Sequence, residues 1–166
     1  DFDQWPHGAS YNPADFDRDG DHDLYCVRAG GCGDNPAPNQ FFRQDSISET
    51  DIWFTDIAPE LDMDFMDDGM ASWIDYDADG DLDLSLIAHG GPIRLFRNNM
   101  ITSSGYLEVK VLGPNLEQDC WHTRIDLYPH GSDEALCSAL LSYANVDRNG
   151  LNAYFAADDN APYDLR

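Results

Sequence analysis

The sequence predicts an all-β protein: repeated four-stranded units followed by a smaller β-rich region. Three observations carry that expectation. A nine-residue acidic loop occurs twice, starting at Asp15 and again at Asp75, and an apolar, strand-like segment follows each copy. The segments around the two loops repeat as well. Beyond residue 100 the pattern changes to short stretches in which apolar and polar residues alternate, the period of a half-buried strand.

The loops come first because they carry chemistry. One reads Asp15-Phe16-Asp17-Arg18-Asp19-Gly20-Asp21-His22-Asp23; the other reads Asp75-Tyr76-Asp77-Ala78-Asp79-Gly80-Asp81-Leu82-Asp83. Both spell D-x-D-x-D-G-D-x-D, then Leu. Carboxylates at alternate positions of a tight loop can converge on one ion, and calcium takes roughly six to eight oxygen ligands at about 2.3–2.6 Å. The glycine lets the backbone turn sharply. Five aspartates so close repel one another strongly without a cation. A lone D-x-D would read equally well as a solvated acidic turn. Two complete copies point to metal, one calcium ion in each. An EF-hand does not fit: it needs a Glu at position twelve and flanking helices. Here that position is Cys26 or Leu86, and the following Leu24-Tyr25-Cys26-Val27 and Leu84-Ser85-Leu86-Ile87 read as strands.

The repeat extends outward. Gly8-Ala9-Ser10 precedes the first loop and Gly69-Met70-Ala71-Ser72-Trp73 the second. Gln40-Phe41-Phe42-Arg43 follows the first and Arg94-Leu95-Phe96-Arg97-Asn98-Asn99 the second. Ile52-Trp53-Phe54-Thr55-Asp56-Ile57 supplies a further strand to the first unit; Trp53 and Trp73, both on expected strands, read as blade core and not as sugar platforms. Four short strands per period, punctuated by Gly and Asp turns, is the pattern of a propeller blade. On these residues, positions 8 to 99 resemble the FG-GAP/VCBS repeats of integrin-alpha-type β-propellers. The family tetrapeptide itself is absent; His89-Gly90-Gly91-Pro92 stands nearby. The resemblance implies side-chain ligation by Asp15, Asp17, Asp19 and Asp23, and by Asp75, Asp77, Asp79 and Asp83. It gives Asp21 and Asp81 a role through their backbone carbonyls.

From residue 105, Tyr106-Leu107-Glu108-Val109-Lys110-Val111-Leu112 and Thr123-Arg124-Ile125-Asp126-Leu127-Tyr128 both alternate. The turn Pro129-His130-Gly131-Ser132 leads to Ala135-Leu136-Cys137-Ser138-Ala139-Leu140-Leu141, and Leu151-Asn152-Ala153-Tyr154-Phe155 makes another strand. This order is similar to the ASPIC/UnbV domain that follows such repeats in cartilage acidic protein-like secreted proteins. The expected division is therefore 1–100 for two calcium-loop blades and 101–166 for the ASPIC/UnbV-like region, the chain ending inside a last strand. Asn145-Val146-Asp147-Arg148-Asn149-Gly150 faintly echoes the acidic loop but lacks its later acids, and reads as an Asn-Gly turn.

Charge and composition narrow the partners. There are 32 acidic and 9 basic residues, for a net charge of −23. Two calcium ions would bring that to about −19, still acidic, whereas nucleic acid and anionic lipid require a basic face. No apolar run reaches the ~18 residues of a membrane span, so neither nucleic-acid binding nor membrane insertion is expected. A start at Asp1 suggests a mature or excised piece. Four cysteines permit three pairings. Local pairs Cys26–Cys32 and Cys120–Cys137 are favoured, in keeping with an extracellular, secreted or cell-surface setting.

Catalysis finds no foothold in the sequence. The five His are scattered, with His22 at an outward loop position, and no nucleophile motif or P-loop occurs. Closely paired Asp residues could serve glycoside hydrolysis, but the notable pairs belong to the loops. The expected function is a non-catalytic, secreted calcium-binding module for extracellular binding or adhesion, with a protein or glycan partner. Two alternatives stand beside it. Two blades cannot close a ring, so exposed strand edges could join copies of the chain into a homo-oligomer or filament. The chain could also be an accessory region of a larger secreted enzyme.

Overall fold

The structure, a computed structural model, describes residues 9–28, 38–45, 51–66, 69–88, 91–100, 105–112, 123–141, 152–158 and 160–166. Among them every regular element is a strand. β1 (Ala9–Ala14), β2 (Asp23–Arg28), β3 (Gln40–Gln44) and β4 (Phe54–Asp56) form a four-stranded sheet in that order. β5 (Gly69–Ile74), β6 (Asp83–Ala88) and β7 (Ile93–Phe96) form a three-stranded sheet. β8 (Gly105–Lys110) pairs with β11 (Asn152–Ala157), while β9 (Thr123–Pro129) lies between β10 (Cys137–Leu141) and β12 (Tyr163–Leu165). All registered pairings are antiparallel. The all-β expectation holds. No described helix is long and apolar enough to cross a membrane.

The chain divides into two compact units that interleave in sequence. One comprises 1–14, 22–73 and 83–97; the other comprises 15–21, 74–82 and 98–166. Most of each acidic loop therefore belongs to the same unit as the C-terminal strands.

In the first unit β2 is central, and its Tyr25, Cys26 and Val27 are all buried, as an interior strand requires. The outer strand β1 tolerates Pro13, opposite Leu24, because an edge strand can spare one amide. Tyr25 meets Phe41 edge to face at 5.7 Å, and Phe41 packs against Trp73 at the same separation. Such pairs add about 0.5–1.5 kcal/mol each beyond area burial. Polar tips are satisfied inside: Tyr25 Oη donates to the Met63 carbonyl at 3.0 Å, and Trp73 Nε1 to the Asn12 carbonyl at 2.9 Å. Trp73, partly buried, packs against that core through Phe41. Trp53 is not in the core. It precedes β4 and is 44% exposed, with Ile52 and Phe54 exposed beside it. Three consecutive apolar residues cannot all face inward in extended chain, where side chains alternate, and among the described strands β4 is at the edge of its sheet.

In the second unit β8 alternates half-buried and exposed residues along its whole length, as its sequence predicts. Ile125, Leu127, Ala153 and Phe155 form the buried core, with Leu107, Val109 and Tyr163 packed against it. Cys26 is buried and Cys137 half-buried. Their expected partners, Cys32 and Cys120, lie outside the described residues, as does the Asn145–Gly150 turn. As thiols, burial pushes Cys26 up to about 12 and Cys137 to about 11, which keeps them protonated and unreactive at neutral pH.

Candidate metal centres

Both acidic loops fold the same way, from contacts no more than five residues apart. The first aspartate of each accepts two backbone amides. Asp15 Oδ1 takes the Asp19 N–H at 3.1 Å and Oδ2 the Gly20 N–H at 3.2 Å. Asp75 Oδ1 takes the Asp79 N–H at 3.2 Å and Oδ2 the Gly80 N–H at 3.1 Å. The fifth position then holds the seventh: Asp21 N–H donates to Asp19 Oδ1 at 3.1 Å, and Asp81 N–H to Asp79 Oδ1 at 3.2 Å. The turn needs left-handed backbone at the fourth and sixth positions. Arg18 and Ala78 both have φ of 59°, Gly20 has 98° and Gly80 has 91°. Glycine accepts that conformation without a Cβ penalty.

The result is convergence of carboxylates. Ligand oxygens of Asp15, Asp17 and Asp19 lie within 4.8 Å of one another, and so do those of Asp75, Asp77 and Asp83. Two oxygens that bind one calcium at about 2.3–2.6 Å stand at most about twice that distance apart, so these clusters are compact enough to share a cation. The donors are carboxylates throughout, which suits a hard ion such as calcium, magnesium or manganese. Asp17 Oδ1, Asp21 Oδ1 and Asp81 Oδ1 are also shut off from water.

The remaining expected ligands are placed as follows. Asp23 and Asp83 are completely buried at the start of β2 and β6. Asp83 belongs to the second cluster, whereas Asp23 Oδ1 accepts the Gln44 amide at 2.9 Å. Asp79 is exposed, and its Oδ1 serves the loop turn. Asp21 and Asp81 lie at the turn exits. His22 is exposed, as its outward position predicts.

Crowding shows in the protonation equilibria. Asp15 is raised from 3.8 to about 6, first by burial and then by the charges of Asp19 and Asp17, against the pull of the two amides. Asp75 is raised as well, again chiefly by burial. Folding the metal-free loop therefore favours protonated Asp15. Between pH 3.8 and about 6 the folded protein holds a proton that the unfolded chain releases, so the metal-free fold should lose stability as pH rises through this window. A cation must displace the same proton. Affinity at the first loop should fall as pH drops below about 6, by up to about tenfold per unit, with roughly one proton released on binding. Cation titrations at pH 5, 6 and 7 in buffers of different ionisation enthalpy would read both effects. An affinity flat across that range would contradict the Asp15 shift.

Several acids outside the loops are bound up in structure. Asp45 holds Arg43 at 2.8 Å and the Thr55 hydroxyl. Asp56 Oδ1 accepts the Phe41 and Ala58 amides, both at 3.1 Å. Asp126 pairs with Arg124 at 2.7 Å and the Ser138 hydroxyl. Asp164 ties the β9–β10 turn to β12 through His130 Nδ1 and the Gly131 amide, both at 2.9 Å.

Sequence reasoning missed two residues that brace the loops. Asn98 Nδ2 donates to the Phe16 carbonyl at 2.8 Å and makes a longer contact, 3.4 Å, with the Leu82 carbonyl. The Arg18 guanidinium carbon sits 5.5 Å from the centroid of the Tyr106 ring, and the same ring fills the space that a Cβ on Gly80 would need. Asn98 is within the repeated Phe-Arg segment, but nothing about its spacing marks it as a partner of loops many residues away. Comparison with protein-family models, curated proteins and solved structures found no match for this chain.

Proposed function

We propose that this chain is a calcium-binding β module without catalysis of its own, holding one calcium ion in each acidic loop and acting in extracellular binding or adhesion. The observation that carries the reading is the pair of compact carboxylate clusters in two loops of the same backbone conformation. An acidic turn made only for solvation has no need to gather its carboxylates or to bury Asp83. Calcium is favoured over magnesium because a loop rich in carboxylates, with backbone carbonyls at hand, suits a large and irregular coordination shell. On the FG-GAP/VCBS reading, β1–β4 would be one blade, β5–β7 most of a second, and the strands after residue 100 the ASPIC/UnbV-like region. Secretion is the setting in which the expected cystine pairings would form, and protein or glycan partners would meet the exposed turns.

Calorimetric titration tests the core of this. Two calcium ions per chain are expected, with Kd of roughly 10⁻⁴–10⁻³ M, the range of extracellular modules. Asp17→Ala and Asp77→Ala should each remove one. No heat and no shift of the loop amides in millimolar calcium would refute the reading.

A second reading, self-assembly, is favoured by one surface. Met70, Ile87, Ile93 and Leu95 on the three-stranded sheet are 69%, 51%, 75% and 49% exposed, and among the described strands β7 is at the edge of that sheet. Calcium would reduce the charge repulsion that opposes association. Light scattering that rises across a calcium titration would support an oligomer or filament, and a monomer at high concentration in calcium would reject it.

A further inference from the structure

The two acidic loops are joined to each other by side chains outside both. Asn98 touches one carbonyl in each. The Phe16 carbonyl belongs to the peptide that leads into Asp17, and the Leu82 carbonyl to the peptide that leads into Asp83. Each peptide is the one whose tilt aims the next carboxylate. Tyr106 makes a separate link. Its ring lies under the Arg18 guanidinium of the first loop and directly against Gly80 of the second, where an added Cβ would come within 2.0 Å of the ring. Arg18, Gly80, Leu82 and Tyr106 line a single cleft. Neither link uses a carboxylate, so metal ligation leaves both intact.

We infer that Asn98 and Tyr106 couple the two loops, so that calcium in one loop tightens calcium in the other. The inference rests on the calcium reading above. An ion in the first loop holds the Phe16 peptide and Arg18 still. Those in turn hold Asn98 and Tyr106, which fix the Leu82 peptide and the Gly80 turn. The second ion then meets a loop whose ordering has already been completed, and binding that orders a shared element is cooperative without any large movement. Coupling of this kind typically changes affinity about 5- to 150-fold, and it is reciprocal. Asn98 and Tyr106 are positioning residues: they act on the ion through the peptides that they hold.

The Gly20 and Gly80 amide resonances report the two loops separately during a calcium titration of the full chain. Asp17→Ala, which disables the first loop, should weaken the second on the order of tenfold. Asp77→Ala should weaken the first by the same factor. In an Asn98→Ala/Tyr106→Leu background the two loops should become independent, with Asp17→Ala changing the second by less than about twofold. Repeating the titrations in about 1 M salt screens the direct charge effect of the lost Asp, and the coupling should survive. Circular dichroism confirms that each variant is folded. Should the double background fail to fold, Asn98→Ala alone replaces it and should reduce the coupling. A second loop unaffected by Asp17→Ala overturns the coupling while leaving the calcium reading in place. Full coupling retained without Asn98 and Tyr106 overturns their role. Absence of calcium binding at both loops of the unaltered chain overturns the calcium reading, and the coupling with it.

Discussion

Chelating calcium is expected to lower the melting temperature by several degrees per ion. A ligand bound only to the native state adds about 2.7 kcal/mol at a hundredfold excess over Kd. For a chain of this size each kcal/mol shifts the midpoint by roughly 2–4 °C, so each ion would be worth roughly 5–10 °C at that excess. The ion also removes a penalty. In its absence Asp15 is raised to about 6 by burial and by the charges of Asp19 and Asp17, and Asp83 is completely buried within its carboxylate cluster. Asp17→Ala should reproduce the loss of one ion in the presence of calcium. Differential scanning calorimetry with and without chelator measures the effect directly. A midpoint unmoved by chelator would show that the loops do not contribute to folding stability.

Gly80→Ala should damage the protein far more than Gly20→Ala, although the two glycines occupy the same loop position. Both have strongly positive φ, 91° and 98°, and a side chain in left-handed backbone costs roughly 1–2 kcal/mol. Gly20 has open space around its missing Cβ, so that cost is the whole cost. At Gly80 a Cβ would come within 2.0 Å of Tyr106 Cδ1 and Cε1 and 2.5 Å of Cγ. These ring atoms are close to the strand and cannot swing aside as a flexible chain end can. Forcing them apart adds roughly 1–3 kcal/mol. Urea unfolding of the two variants should show the difference, and Tyr106→Ala placed on Gly80→Ala should recover part of the loss. Equal midpoints for the two glycine variants would refute the contact.

How legible each feature was follows from how far its causes reach along the chain. β8 was readable because alternation is a property of six successive residues and one buried face decides it. β6 was readable from Leu84-Ser85-Leu86-Ile87 directly behind a loop. Trp53 was not, since an apolar run names residues that prefer burial without saying whether a partner surface exists; it stays 44% exposed beside β4, the edge of its sheet among the described strands. The two loops also differ in detail despite their common spelling. Space beside Gly20 is open whereas Tyr106 fills it beside Gly80, and that depends on what the distant strands bring.

By itself, the sequence determined the all-β class, the places of the strands and the turn of each acidic loop. The loop turn needs only hydrogen bonds that span two to five residues and a glycine with freedom at positive φ. Tertiary structure decided what holds those loops. Asn98 reaches a carbonyl 82 residues away, and Tyr106 wedges against a glycine that local sequence would treat as the twin of Gly20. Contacts between distant segments depend on how the sheets fold back and which unit each segment joins, and no periodicity or spacing within a short window encodes that.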